Sequence, residues 1–201
     1  MPQDPADGGL IVFLRLPQWG KVKTRLAATA GHDAALTIYR KLISRTLNVV
    51  SESEQSVYLF YDGGLPPTEE RIPGFAYHLQ SQGKLGLKMA EAISYVLQFH
   101  TRATIIGSDC PTMSALIINK SFALLDTHDI VLGPAMDGGY YLFGCKKLVY
   151  PLFEDIPWST SSVLEETIVK INAARLSYTL LEPLLDIDTS EDWEQYIRSG
   201  N

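Results

Sequence analysis

A chain of 201 residues is long enough to bury a substantial core within one domain and short for two. Its 46% hydrophobic and 20% charged content exclude a disordered chain, and a formal net charge of -6 excludes a protein devoted to gripping nucleic acid, whose backbone phosphates demand a basic face. No apolar run approaches the roughly 20 residues of a membrane helix, and Cys110 and Cys145 are too few for a disulfide framework and fit no zinc spacing, so a soluble protein of the reducing cytoplasm is expected.

Residues 1–9 are polar, carry Asp4 and Asp7, and are expected to form a disordered tail ahead of one domain spanning 10–201. Residues 10–16 are a short apolar run closed by Pro17 and Gly20, which predicts a buried first strand and then a loop. From Asp33, the residues Leu36, Tyr39, Ile43, Leu47 and Val50 recur at helical spacing. Strands are predicted at 56–61, ended by Asp62-Gly63-Gly64, and at 75–79. A helix carrying Leu85, Met89, Ile93 and Val96 leads to a strand at 103–106 that stops at Gly107-Ser108-Asp109-Cys110-Pro111. A helix with Ala115, Ile118, Phe122 and Leu125 on one face follows, then strands at 129–133 and 140–144. The next helix opens with a capping-box spacing at Ser162 and Glu165, a strand at 177–181 closes the sheet, and Thr189 with Asp192 repeats the capping spacing before a final helix. Alternating strands and helices predict an α/β fold with a mostly parallel sheet, whose ligand lies beyond the carboxyl ends of the strands. The loops after Leu16, Leu79, Ile106 and Gly133 are therefore expected to meet in one crevice.

Four groups of residues are able to carry chemistry there. Arg15, Lys21, Lys23 and Arg25 form a basic stretch with no acidic residue between Gly8 and His32; it is either a solvated loop or, with Gly20 freeing the backbone to turn, a contact for phosphates. It matches neither a dinucleotide fingerprint nor a P-loop. Asp109, at a strand end, suits Mg2+ or Mn2+, which are held by one or two carboxylates plus substrate phosphates. Asp186 and Asp188 alternate about Ile187, so both carboxylates point to one side of an extended segment and either is able to be the second ligand. Alternatively, Asp109 is a turn residue and Asp188 a helix cap. Asp137-Gly138-Gly139-Tyr140-Tyr141 reads as a plain turn or as a surface for a sugar or base, with flat rings and hydroxyl donors. Trp158 and Ser159 precede a helix and either cap it or bind an acceptor at its N-terminus.

Together, the run 10–13 with Pro17, Gly20 and 22–26, then 106–111, 129–141, 156–160 and 186–189 resemble the selenodomain-associated, glycosyltransferase-like bacterial proteins of the nucleotide-diphospho-sugar transferase superfamily. The resemblance covers the chain from Leu10 to about Trp193. It implies a three-layer glycosyltransferase-A type fold similar to molybdenum-cofactor guanylyltransferase and phospholactate guanylyltransferase. It also implies that Lys23 and Arg25 meet phosphates, that the segment from Gly83 to Met89 borders the nucleobase, with Gly83, Gly86 and Ser108 among the nucleotide contacts, and that Asp109 holds the metal with Asp186 or Asp188. The segment from Asp137 to Tyr141 would line the acceptor side. Lys84, Leu87 and Lys88 stand where Asp, Glu and Arg are usual in that family.

The resulting expectation is a metal-dependent transferase acting on a nucleotide donor. The cations tilt it towards nucleotidyl transfer from a nucleoside triphosphate to a phosphorylated acceptor, because a triphosphate carries more charge beyond the reacting centre. The alternatives are a glycosyltransferase using a nucleotide-diphospho-sugar, and a nucleotide- or partner-binding module without turnover. The base, the acceptor and the oligomeric state are not encoded in these motifs.

Overall fold

The computed structural model describes residues 7–200. The chain runs β1 (Gly8–Arg15), α1 (Thr24–Ala30), α2 (His32–Ser51), β2 (Ser56–Asp62), β3 (Ala76–Leu79), α3 (Leu85–Val96) and β4 (Arg102–Ile106). It continues through α4 (Ala115–Leu124), β5 (Ile130–Pro134), β6 (Tyr140–Cys145), α5 (Val163–Ala173), β7 (Tyr178–Leu180) and α6 (Ser190–Arg198). All seven strands join one sheet in the order β3-β2-β1-β4-β6-β5-β7, and every pairing is parallel except those of β6.

Strand alternation divides the core into two layers. Leu10, Val12 and Leu14 of β1 face α2 and α4, packing with Tyr39, Ile43, Ile118 and Phe122. Ile11 faces the other way, into a layer with Met89 and Ile93 of α3 and Ile171 of α5. Both sheet faces are thus covered, which explains why β1 reads as a continuous apolar run rather than an alternating one. A third, smaller cluster joins α1, α2 and α6 around the fully buried Ile187.

The structure departs from the sequence reading in four places. Residues 1–6 of the expected tail lie outside the described residues, but Gly8 and Gly9 belong to β1. A Cβ at Gly8 would sit 2.4 Å from the Phe122 ring and one at Gly9 2.2 Å from Val96, so these glycines let two helices close over the strand start. The basic stretch is loop only as far as Lys23; Thr24 begins α1, which buries Leu26 and Ala27. β6 is antiparallel because residues 135–139 are too few for a crossover and suffice only for a hairpin. Ser162 makes no side-chain cap on α5, its hydroxyl lying 2.9 Å from that of Thr160, whereas the Thr189–Asp192 capping box on α6 is complete.

Candidate functional site

The carboxyl ends of β1 and β4, with the β5–β6 turn and the start of β6, open into a cleft of about 550 Å³. Its acidic wall begins at Lys23, which adopts a left-handed backbone (φ 46°, ψ 50°) at the start of α1. That conformation is uncommon for a residue with a Cβ and costs on the order of 1 kcal/mol. It turns the Lys23 side chain inward, where it is only 6% exposed and sits 2.8 Å from Asp109 Oδ1, with its ammonium also donating to the Ile187 carbonyl. The Ile187 N–H in turn donates to the Asp109 carbonyl at 2.9 Å. One lysine and one backbone bond therefore tie the loop after β4 to the segment before α6, although the two are far apart in sequence.

Ile187 drops into the third cluster while Asp186 and Asp188 line the cleft on either side of it, as period-two alternation dictates. Arg25 pairs with Asp188 at 2.7 Å, and the Cys110 thiol lies 3.6 Å from Asp186 Oδ1. Burial of Asp186, reinforced by the negative charge of Asp109 and only partly offset by Lys23, pushes its carboxyl up to about 7. For Lys23, burial works against the charged form, but Asp109, Asp186 and Asp188 outweigh it and hold the ammonium above the ordinary lysine value. Among the described residues lining the cleft, four carboxylates (Asp109, Asp137, Asp186, Asp188) face one cation, Arg25.

The opposite wall is apolar and hydroxyl-bearing. Phe13, Leu85, Met89 and Ile105 form its floor, and Tyr140, Trp158, Ser159, Thr160, Ser161 and Val163 its side. Tyr140 and Trp158 meet edge to face with centroids 6.2 Å apart. Gly86 explains why the indole lies there: a Cβ would sit 2.2 Å from the Phe153 carbonyl oxygen and 2.9 Å from the Trp158 Nε1, so only glycine lets α3 approach. Gly138 (φ 91°) does the same for the hairpin, since a Cβ there would lie 2.1 Å from the Ser161 carbonyl oxygen. Asp137 Oδ1 accepts from the Gly139 N–H at 2.9 Å, closing the turn. Ser159, like Lys23, has a left-handed backbone (φ 67°), and both residues belong to the cleft walls.

Of the residues singled out from sequence, the structure brings Arg25, Asp109, Asp137, Gly139, Tyr140, Trp158, Ser159, Asp186 and Asp188 to the cleft lining. Lys23, Gly86 and Gly138 stand behind it and shape it. Arg15, Gly20, Lys21, Gly83 and Ser108 are not part of the lining. Arg15 is held at 3.0 Å by Asp62, which also takes Lys88 at 3.3 Å, and its guanidinium donates to the Lys21 carbonyl. Ser108 is buried, its carbonyl receiving the Thr46 hydroxyl. The Tyr140 hydroxyl is buried, so this residue presents its ring and not a donor. Phe13 and Ile105 were legible only as core residues, because a strand residue at the rim of a cleft carries the same periodicity as one inside, whereas Leu85 and Met89 fall in the segment that the resemblance put beside the nucleobase.

Among the described residues no three His, Cys, Asp or Glu side chains are gathered into a ready-made metal cage. The donor set nonetheless fits a hard divalent cation of the magnesium type, which needs only one or two carboxylates and completes its shell with water and phosphate. Asp109 keeps part of its surface open (35% exposed), and Asp186 is crowded enough by negative charge to gain from a cation.

The fold is that of the nucleotide-diphospho-sugar transferases. A crystal structure of a candidate nucleotide-diphospho-sugar transferase from Desulfovibrio desulfuricans G20 superposes with a TM-score of 0.91 at 28% identity, covering 98% of this chain and 88% of that one. The inositol-1-phosphate CTP transferase of T. maritima matches at TM-score 0.63 and 14% identity over 98% and 95% of the two chains. Rv0371c of Mycobacterium tuberculosis H37Rv, solved as a manganese complex, matches at 0.62 and 14% over 97% and 100%. No curated protein sequence matches the chain. Residues 46–160 match the family described as an uncharacterized protein conserved in bacteria (DUF2064), and the chain belongs to that family.

Proposed function

We propose that the protein is a metal-dependent transferase that binds a nucleotide donor across the acidic wall and moves either its nucleotidyl or its glycosyl group to an acceptor on the aromatic wall. The observation that carries this reading is the excess of carboxylate at that wall: Asp109, Asp186 and Asp188 outnumber the two cations beside them, Lys23 and Arg25. Such an excess is unfavourable without a further cation. A Mg2+ or Mn2+ ion held by Asp109 with Asp186 or Asp188 would neutralise donor phosphates and stabilise the leaving group. Arg25 lies on the cleft lining of this same wall, paired with Asp188 at 2.7 Å, so phosphates drawn to the ion would share its guanidinium with that carboxylate. Lys23 is a positioning residue: its ammonium is turned onto Asp109 and Ile187, so it orients the carboxylate rather than reaching the donor itself. Catalysis in this arrangement is positioning and charge neutralisation.

The neighbours support the reading in their own terms. One is a CTP transferase, one is a CMP:2-keto-3-deoxy-manno-octonic acid synthetase complexed with CTP, and one was crystallised with manganese. The resemblance of the motifs to the selenodomain-associated, glycosyltransferase-like proteins supports the glycosyl branch of this reading, and the charge of the basic stretch supports the nucleotidyl branch. Thermal-shift measurements with nucleoside triphosphates, nucleoside diphosphates and nucleotide sugars, each with and without Mg2+, test the proposal. A rise in Tm that requires both nucleotide and metal is expected. Absence of any nucleotide effect would leave the non-catalytic binding module as the surviving alternative.

A further inference from the structure

We infer that the acceptor is an uncharged hydroxyl compound with an apolar or aromatic face, and not a phosphomonoester. The inference rests on the donor reading above and narrows it. In the cleft, cationic charge is confined to the acidic wall: Arg25 is already paired with Asp188, and Lys23 is turned onto Asp109. On the opposite wall, no described residue lining the cleft is a lysine, arginine or histidine, and residues 1–6 and 201, outside the described set, contain none either. What that wall offers is the Trp158 indole, the Tyr140 ring, the hydroxyls of Ser159, Thr160 and Ser161, and one carboxylate, Asp137.

A phosphate bound there would meet Asp137 without a compensating cation. Phosphate sites are built from arginine forks, lysines or helix N-terminal amides, and the first amides of α5 are already committed: the Val163 N–H donates to the Thr160 carbonyl and the Leu164 N–H to the Gly138 carbonyl, ahead of Glu165 and Glu166 in the same turn. Asp137 lines the same cleft as Asp109, Asp186 and Asp188, so a further anion would add to an existing repulsion. An alcohol or glycoside has the opposite balance. Its C–H face stacks on the indole and the tyrosine ring, and its hydroxyl groups donate to Asp137 and to the oxygens of Ser159 and Ser161. This differs from the phosphorylated acceptor expected from the basic stretch, because the cations of that stretch turn away from the acceptor wall or are spent on aspartates.

Trp158 provides a reporter. In the full-length Trp19→Phe/Trp193→Phe variant it is the sole indole of the chain's three. Its emission is followed while matched probes are titrated into protein loaded with Mg2+ and the nucleotide that gives the greatest rise in Tm. The pairs are phenyl β-D-glucoside against its 6-phosphate, and benzyl alcohol against benzyl phosphate. Saturable changes with the neutral member of a pair, about ten-fold or more tighter than with the phosphorylated member, are expected. Ser161→Lys, which places a cation on the wall, is expected to narrow or reverse that preference. Equal or tighter binding of the phosphorylated probes to the protein with Ser161 intact overturns the inference. So does the failure of all four probes when nucleotide and Mg2+ still raise Tm, a result that leaves the donor reading standing. Loss of the nucleotide effect itself, measured first and separately, removes the donor reading and this inference with it.

Discussion

The two walls of the cleft are held in place by different forces. On the acidic wall, position comes from directed polar bonds: Lys23 to Asp109 and to the Ile187 carbonyl, the Ile187 N–H to the Asp109 carbonyl, and Arg25 to Asp188. On the aromatic wall, position comes from close approach of backbone to side chain, at Gly86 under Trp158 and at Gly138 against Ser161. The first wall concentrates charge, and the second carries one carboxylate, Asp137, and no cation among its described lining residues. A cleft with that asymmetry orients a ligand that is anionic at one end and uncharged at the other.

The largest effect is expected from Asp109→Asn, which removes the carboxylate while keeping its shape. Mg2+-dependent stabilisation by nucleotide should vanish in thermal-shift measurements. Stability without ligand should fall by about 1–3 kcal/mol, because Lys23 is left buried beside a neutral amide; the partial exposure of position 109 keeps the loss below that of a fully buried pair. Binding of neutral probes to the aromatic wall should survive.

Gly86→Ala breaks the other wall. The added methyl group collides with the Phe153 carbonyl oxygen and the indole, so chemical denaturation should show a loss of about 1–3 kcal/mol. Probe binding at Trp158 should weaken more than nucleotide binding does. An equal loss of both would mean that the walls do not act separately.

Asp186 sharpens the contrast through pH. Its folded value, about 7, lies above the ordinary carboxylate value of 3.8, so the folded protein keeps a proton that the unfolded chain has released. The group's contribution to stability is complete below about pH 4 and is lost as pH rises through 7. Asp186→Asn should therefore raise Tm relative to the unmodified protein at pH 8 in a metal chelator, with the difference disappearing near pH 4. Added Mg2+ should close the gap at pH 8 by stabilising the unmodified protein alone. The smallest effect belongs to Thr189→Ala, which removes the cap that seats α6 next to Asp188 and should cost about 1 kcal/mol.

Much of the acidic wall was legible in the sequence. Asp109 stood at a strand end, and the alternation Asp186-Ile187-Asp188 predicted two carboxylates on one side, because a buried isoleucine between them fixes the phase of an extended segment. The direction of Lys23 was not legible. It depends on a left-handed backbone at a lysine, which no propensity predicts, and on a partner at position 187 that only the tertiary fold brings near. The aromatic wall was half legible: Tyr140 and Trp158 drew attention as residues, but Phe13 and Ile105 of the floor looked like ordinary strand core. Gly86 read as loop freedom and proves to be a packing position in the first turn of α3. The α/β class followed from the alternation of strands and helices, while the reversal of β6 was set by a short link whose length mattered more than the pattern.

The central claim is that the acidic wall receives a divalent cation together with donor phosphates. Crystals grown with Mn2+ and a nucleoside diphosphate, measured at the manganese absorption edge, test it directly. An anomalous peak within coordination distance of the Asp109 carboxylate and of Asp186 or Asp188, with phosphate oxygens completing the shell, is the predicted result. A manganese peak bound elsewhere, or nucleotide phosphates seated in the cleft with no metal beside Asp109, would contradict it.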